Sequence, residues 1–436
     1  MLRLLFGAPK ILAELGLNRA ITPAATNKIS GDQRFHSGKA HDVIIVGNGA
    51  FGSSIAYHLS KQGAKVLTLD MHPPAHPWGS SHGHTRIIRL AYFEGPEYVP
   101  LLRRSYDLFL ELQDLCGQEL FFKTGVLDVG TTFEKAYSTA RRYNLPHEVL
   151  TAKEVNTRFP GYSVPEDVMS LFQPDGGILC PENIIQAHSS LAMKHGCTVR
   201  SGVTVASWRG LSGSAINSTG SVEIKLSNGE KHVGAQLVLT AGAWMSQLVP
   251  ELKRLCVPER QVVAWFDCPE DQFAKESFPV FIAGSSDNEI FYGFPQYGQQ
   301  RGFKIGLYNH LREIVDPDNL DRTFTRKDEV ALRRGVQQFF KSADNKVLHS
   351  NTCMFTNTPD GHFILDRHPA YPQVILCSAC SGHGFKMSSG VGQLLSDIAL
   401  SGGPGSSDVQ QELQLHRINS DREGHAEFIQ ASLSSS

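Results

Sequence analysis

Gly47-Asn48-Gly49-Ala50-Phe51-Gly52 is where residue type and spacing most plainly imply chemistry. Glycines in a G-x-G-x-x-G pattern let a chain turn sharply, bring backbone N–H groups against a pyrophosphate and pack a helix close to a strand. The elements needed to position such a turn flank it. Asp42-Val43-Ile44-Ile45-Val46 has the apolar, β-branched composition of a buried parallel strand. Ser53 to Gln62 follows as a helix with Ile55, Ala56 and Leu59 on one side, and Gly63 is placed to end it. The helix N-terminus favours phosphate charge. Val66-Leu67-Thr68-Leu69-Asp70 is a second buried strand, and Asp70 at its end can accept hydrogen bonds from ribose hydroxyls. The glycine pattern alone is weak, but within strand, turn, helix and strand it implies a dinucleotide. NAD and FAD both use this unit. A second strand-to-glycine turn at Leu237 to Trp244, with Ala241, Gly242 and Trp244, and a further turn at Gly382 and Gly384 favour FAD.

Other residues carry weaker signals. Arg86 and Arg89 flank Ile87 and Ile88, which argues for a partly buried strand. Lys304 sits in Gly302-Phe303-Lys304-Ile305-Gly306, a setting that suits a buried strand lysine. Cys377 and Cys380 form a lone C-x-x-C without a second pair, so two small residues ending a strand are favoured over a zinc site and no metal is expected. The 436 residues contain eight cysteines, too dilute for a disulfide scaffold. With a net charge of −2 and no basic stripe, nucleic acid is not an expected partner. No run of apolar residues is long enough to predict a membrane span. Residues 1–40 are basic, poor in acids and amphipathic, resembling a mitochondrial transit peptide. A mitochondrial location is therefore expected, with peroxisomal or cytoplasmic placement as alternatives and a disordered extension as the bland reading.

Helices are predicted over Tyr98 to Leu115 and Ile184 to His195, and an Asn-Gly hairpin turn after Val222 to Leu226. Residues 258–310 alternate as an antiparallel sheet would. Val374-Ile375-Leu376-Cys377 is a late buried strand leading through Ser381-Gly382-His383-Gly384-Phe385-Lys386 into a helix ending near Leu400. The expected fold class is α/β: a Rossmann-type FAD-binding domain with an inserted substrate domain built on a largely antiparallel sheet. The expected boundaries are 1–41 for a targeting or disordered extension, 42–125, 181–250 and 350–402 for the discontinuous FAD-binding domain, 126–180 and 251–349 for the substrate domain, and 403–436 for a tail.

Three long motifs, in order, carry a resemblance: Pro77-Trp78-Gly79-Ser80-Ser81-His82-Gly83-His84-Thr85-Arg86-Ile87-Ile88-Arg89; Cys353-Met354-Phe355-Thr356 with Phe363-Ile364-Leu365-Asp366; and Ser381 to Lys386. From about Asp42 to about Gly402 the chain resembles the FAD-dependent amine oxidase family that includes monomeric sarcosine oxidase, N-methyltryptophan oxidase and pipecolate oxidase. The resemblance implies FAD linked covalently through Cys353, with Arg86 and His82 close to the flavin ring, where a cation stabilises the reduced flavin. It implies that Arg89 and Lys386 hold a substrate carboxylate, that Tyr292 contacts substrate, and that Lys304 promotes reaction with oxygen. Gly47, Gly49, Ala50, Phe51, Gly52, Asp70, Ser80, Ser81, His82, Thr85, Arg86, Val203, Ala241, Gly242, Trp244, Cys353, Gly382, Gly384, Phe385 and Lys386 are the implied cofactor contacts, with Val203 reaching adenine through its backbone.

The implied reaction is hydride transfer from a small secondary amino acid to flavin N5, then imine hydrolysis and reduction of O2 to H2O2, carried out by a monomer. A flavin dehydrogenase serving a protein acceptor and a non-catalytic flavin-binding protein are the alternatives. Retention of Lys304 favours oxygen, and its retention with Cys353, Arg89 and Lys386 favours catalysis. The chain departs from the family pattern at Tyr308, where a histidine is expected, at Phe355, where a tyrosine is expected, and in a longer loop between Pro295 and Lys304. These changes put sarcosine itself in doubt as the substrate.

Overall fold

Strands too apolar to face water on either side form the middle of the first sheet, and its outer strands are partly exposed. In the computed structural model, which describes residues 41–211 and 220–401, His41–Val46 lies at its centre. The order is Val205–Leu211, Ser221–Leu226, Lys231–Leu239, His41–Val46, Val66–Leu69, Thr198–Arg200. Lys231–Leu239 changes partner along its length. Its first half pairs antiparallel with Ser221–Leu226 across the expected hairpin, and Leu237 to Leu239 run parallel to Val374–Ser378. The late strand therefore completes the nucleotide sheet, as its apolar run implied. The expectations for residues 1–40, and for 402–436 at the other end, lie outside the described residues. Among the described residues no helix is long and apolar enough to cross a membrane.

A second sheet of eight strands follows the order Val347–Asn357, Val257–Phe266, Phe303–Leu307, Ile290–Phe294, Val280–Gly284, Val126–Gly130, Met169–Gln173, Glu148–Thr151. All its pairings are antiparallel except that of Val280–Gly284 with Val126–Gly130. Strand period two gives it two distinct faces. Phe281, Phe291, Phe303 and Ile305 pack with the helix Arg326–Phe339 in an aromatic core. Tyr292, Phe294, Lys304, Cys353 and Phe355 point to the other face and line a cavity.

Two expected boundaries move. Residues 350–357 do not belong with the nucleotide sheet, because Val257 to Phe266 pairs with Val347–Asn357 along nearly its whole length. Residues 177–179 leave the substrate domain, since Gly177–Leu179 pairs with Arg86–Ile88 and Phe121–Phe122 in a separate three-stranded sheet. The helix after the glycine turn is Ala50–Lys61, beginning earlier than its apolar positions alone indicated.

The glycines at the turn have separable duties. Gly47 has φ +97°, which L side chains rarely adopt, and a Cβ on Gly52 would lie 1.9 Å from the Gly47 carbonyl oxygen. A Cβ on Gly49 would meet no atom within 4 Å, and Gly49 borders the cavity. In protein produced without flavin, Gly52→Ala should cost about 2 kcal/mol by overpacking, read from urea unfolding. Gly49→Ala should leave that midpoint unchanged and lower flavin uptake instead. Equal effects of the two substitutions on the flavin-free protein would contradict this division.

Candidate active site

The cavity runs from Asp70 and Val203 at one end to Lys304, Cys353 and Lys386 at the other. At the first end Asp70 accepts the backbone N–H of Asn48 at 2.6 Å and of His72 at 2.8 Å. It thereby fixes the glycine turn as well as facing the space a ribose would fill. Val203 borders this end, and its N–H donates to the Asp70 carbonyl at 3.1 Å. Ala50, Phe51, Ala241, Gly242 and Trp244 continue the wall, followed by Ser80 and Ser81. A Cβ on Gly242 would also meet nothing within 4 Å, so space is kept there too.

The other end is rich in buried cations. Lys304 donates to the Gly83 carbonyl at 2.7 Å and to Thr85 Oγ1 at 2.9 Å, with Nζ 5.1 Å from the Trp265 ring centre and 4.9 Å from that of Phe294. Burial, assisted by the charge of Arg86, lowers its pKa to about 7. Arg86 is anchored through carbonyls, donating to Thr85 O at 2.8 Å and Ser80 O at 2.6 Å, and lies 5.9 Å from the Phe385 ring centre. Cys353 shares this end. Burial pushes its thiol above the ordinary range, against the pull of Arg86, Lys304 and Arg322.

His82 lines the cavity with Arg86 and Lys304 but supplies no positive charge. Burial, then the charges of Arg86, Arg322 and Lys304, lower its pKa to about 3, so it is neutral. Its Nδ1 lies 3.1 Å from the Asn351 amide nitrogen. Arg86 is the cation here, joined by Lys304 below about pH 7.

Arg89 and Lys386 come together as expected, but Arg89 already has an anionic partner. Its guanidinium donates to Glu94 at 2.5 Å and to the Ala91 carbonyl at 2.9 Å, and it lies against the rings of Tyr92 and Phe93. Burial alone would raise the Glu94 carboxyl, yet Arg89 outweighs it and holds the group ionised. Lys386 donates to the His383 carbonyl at 2.8 Å, and burial lowers its pKa to about 7. Behind them, Gln173 donates to Asp128 at 2.6 Å and accepts the Ala91 N–H at 2.8 Å, fixing the segment that anchors Arg89. Glu94, Asn351 and Asp128 carried no recognisable spacing in the sequence. Glu94 is near Arg89 in the chain, but nothing there distinguishes it from a surface acid.

The remaining wall is aromatic. Gly306 leaves room for Tyr292, whose ring would lie 2.5 Å from a Cβ at that position. Gly382, with φ +76°, leaves equal room for Phe355 and Tyr308, each 2.6 Å from a Cβ placed there. Tyr308 donates to the Ser381 carbonyl at 2.7 Å. Gly384 lets the turn close beneath Phe51, since a Cβ there would strike the Ala379 carbonyl. Cys377 is buried in its strand, whereas Cys380 lies beyond it and accepts the Thr356 N–H at 3.3 Å. No group of three metal-ligating side chains occurs among the described residues.

A dinucleotide with an electron-accepting ring fits this set. One end keeps glycine space beside a helix N-terminus for phosphates, and the other brings Arg86, Arg89, Lys304 and Lys386 to the lining of the same cavity. Residues 42–398 match the family model described as FAD dependent oxidoreductase. The chain belongs to this family. Among curated proteins, this family member is 39% identical over 388 residues to monomeric sarcosine oxidase of Bacillus sp. (strain B-0618), covering 87% of this chain and 95% of that one. It is 32% identical over 370 residues to N-methyl-L-tryptophan oxidase of Salmonella dublin, covering 83% and 95%. Among solved structures, NikD, an unusual amino acid oxidase, aligns with TM-score 0.71 at 21% identity over 86% of this chain and 97% of that one. Glycine oxidase from Geobacillus kaustophilus aligns with TM-score 0.69 at 18% identity, covering 88% and 99%. These two show the fold.

The lysine environment sets a pH dependence. A lysine is charged below its pKa, so Lys386 attracts a carboxylate below about pH 7 and loses that attraction above it, while Arg89 stays charged. Binding of a simple carboxylate such as acetate, followed by flavin absorbance, should weaken as pH rises through this range. Lys386→Met should weaken it about tenfold at pH 6, the scale of one charged hydrogen bond, and flatten the profile. A profile unchanged in the variant would remove Lys386 from the anion site.

Proposed function

We propose that this flavoprotein oxidises small secondary amino acids, N-methyl or cyclic, using molecular oxygen. The observation that carries the reading is one cavity with an arginine–lysine pair, Arg89 and Lys386, on one wall and Arg86, Lys304 and Cys353 on another. The similarity to sarcosine and N-methyltryptophan oxidases supports the same class. Bound FAD supplies the hydride acceptor and, once reduced, the electrons that oxygen takes up.

The chain's own residues set the conditions. Arg89 and Lys386 hold the carboxylate, and Glu94 yields its place on the guanidinium to it. Surrounding cations disfavour a further positive charge, so the amine binds neutral, with its lone pair available to assist hydride loss. Tyr292, Tyr308 and Phe355 exclude water around the reacting carbon. Arg86 stabilises electron density arriving at the ring, and Lys304 offers a cation to charge developing on oxygen. The place of Cys353 in the cavity lining with Arg86 and Lys304 supports a covalent link between its Sγ and the flavin. Tyr308 and Phe355, packed against Gly382, bound the space left for the substrate's substituent. The basic stretch within residues 1–40 supports a mitochondrial address, and the protein would act as a monomer.

Sarcosine, N-methyltryptophan, pipecolate and proline, each supplied under air, provide the test. At least one should release hydrogen peroxide, and none doing so with flavin bound would overturn the oxidase reading. Acid-precipitated protein should stay yellow, and Cys353→Ser should release all colour to the supernatant. Colour in the wild-type supernatant would refute the covalent link.

A further inference from the structure

Lys304 hangs from a turn that is itself held from elsewhere. Both hydrogen bonds recorded for its ammonium end on residues 83–85. That turn runs through left-handed backbone: Gly83 has φ +102°, which glycine adopts freely, and His84, which is not glycine, has φ +70°. The Thr85 N–H returns to the Gly83 carbonyl at 2.9 Å, the same oxygen that receives Lys304. A distant carboxylate clamps the outside of the turn. Glu182, in the first turn of the helix Pro181–Lys194, accepts the Gly83 N–H at 2.7 Å and the His84 N–H at 3.1 Å on a single oxygen.

We infer that Glu182 is the positioning residue of Lys304, fixing through the Gly83–His84 turn the two acceptors that aim the ammonium into the cavity. The inference rests on the reading of Lys304 as the cation that serves oxygen. It assigns Glu182 its main part in the oxidative half of the cycle, because the other cations have anchors outside the turn: Arg86 on the Ser80 carbonyl, Arg89 on Glu94 and the Ala91 carbonyl, and Lys386 on the His383 carbonyl. Glu182 also adds negative charge near Lys304, opposing Arg86. Its hydrogen bonds are the larger part of the assignment, since they fix direction as well as charge.

Stopped-flow mixing separates the half-reactions in flavin-loaded, full-length enzyme. Glu182→Ala should slow reoxidation of the reduced enzyme by oxygen about tenfold or more, as misplacing a reacting group does. Anaerobic reduction by an accepted amine substrate should stay within about twofold of wild type, as the clamp makes no substrate contact. Glu182→Gln keeps an acceptor oxygen and should restore reoxidation to within about threefold of wild type. If Glu182→Ala does not fold, Glu182→Asp, which withdraws the oxygen by one methylene, should slow reoxidation selectively. Reoxidation at the wild-type rate in the folded variant, or an equal fall in both half-reactions, would overturn the assignment. Lys304→Met distinguishes the two layers. Slow reoxidation in Lys304→Met with a normal Glu182→Ala defeats this inference alone. Normal reoxidation in Lys304→Met defeats the oxygen reading of Lys304 and this inference with it.

Discussion

Positive charge taken out of water is the constraint on which this structure depends. Arg86, Arg89, Lys304 and Lys386 line one end of a cavity, where among the described residues Glu94 is the lining carboxylate. Desolvated cations are costly unless anions or dipoles answer them. Carbonyl groups answer part of the charge: Ser80, Gly83, Thr85, Ala91 and His383 all present theirs to these side chains. The unanswered remainder makes the cavity a receptor for electron-rich groups. A phosphate-bearing cofactor that gains electrons, a carboxylate and reduced oxygen species share that character.

Two sheets are needed to assemble such a site. The nucleotide sheet contributes the glycine turn and the strand ends near Asp70, Thr240 and Ser378. The second sheet contributes a flat wall, and strand alternation places Lys304, Cys353 and Phe355 on it while the opposite face is sealed by phenylalanines. The third sheet, small as it is, joins Arg86–Ile88 to the strand preceding the Glu182 helix. Stability and function are thus divided by side-chain direction within the same strands.

Local signals in the chain carried much of this. The glycine turn, its flanking strands, Asp70 and the late strand near Cys377 are contiguous patterns, and each stands where sequence reading expected it. Lys304 was legible as a buried strand lysine because its neighbours are apolar. Long-range pairing was less legible. Val347–Asn357 carries Cys353 but joins the substrate sheet through a distant strand, Val257–Phe266, and no short pattern announces that partner. The neutrality of His82 was equally hidden, since it depends first on burial and then on Arg86, Arg322 and Lys304 from separate elements. Glu94 and Glu182 gain meaning only from what folding sets beside them.

The two-electron midpoint potential of the bound flavin tests the central claim most directly, because buried positive charge must favour the electron-rich reduced state. The potential in the wild-type protein should lie above that of free FAD. Arg86→Met and Lys304→Met should each lower it by about 30 mV or more, equivalent to about 1.4 kcal/mol for a two-electron couple. A potential equal to that of free FAD and unmoved by either substitution would contradict the account.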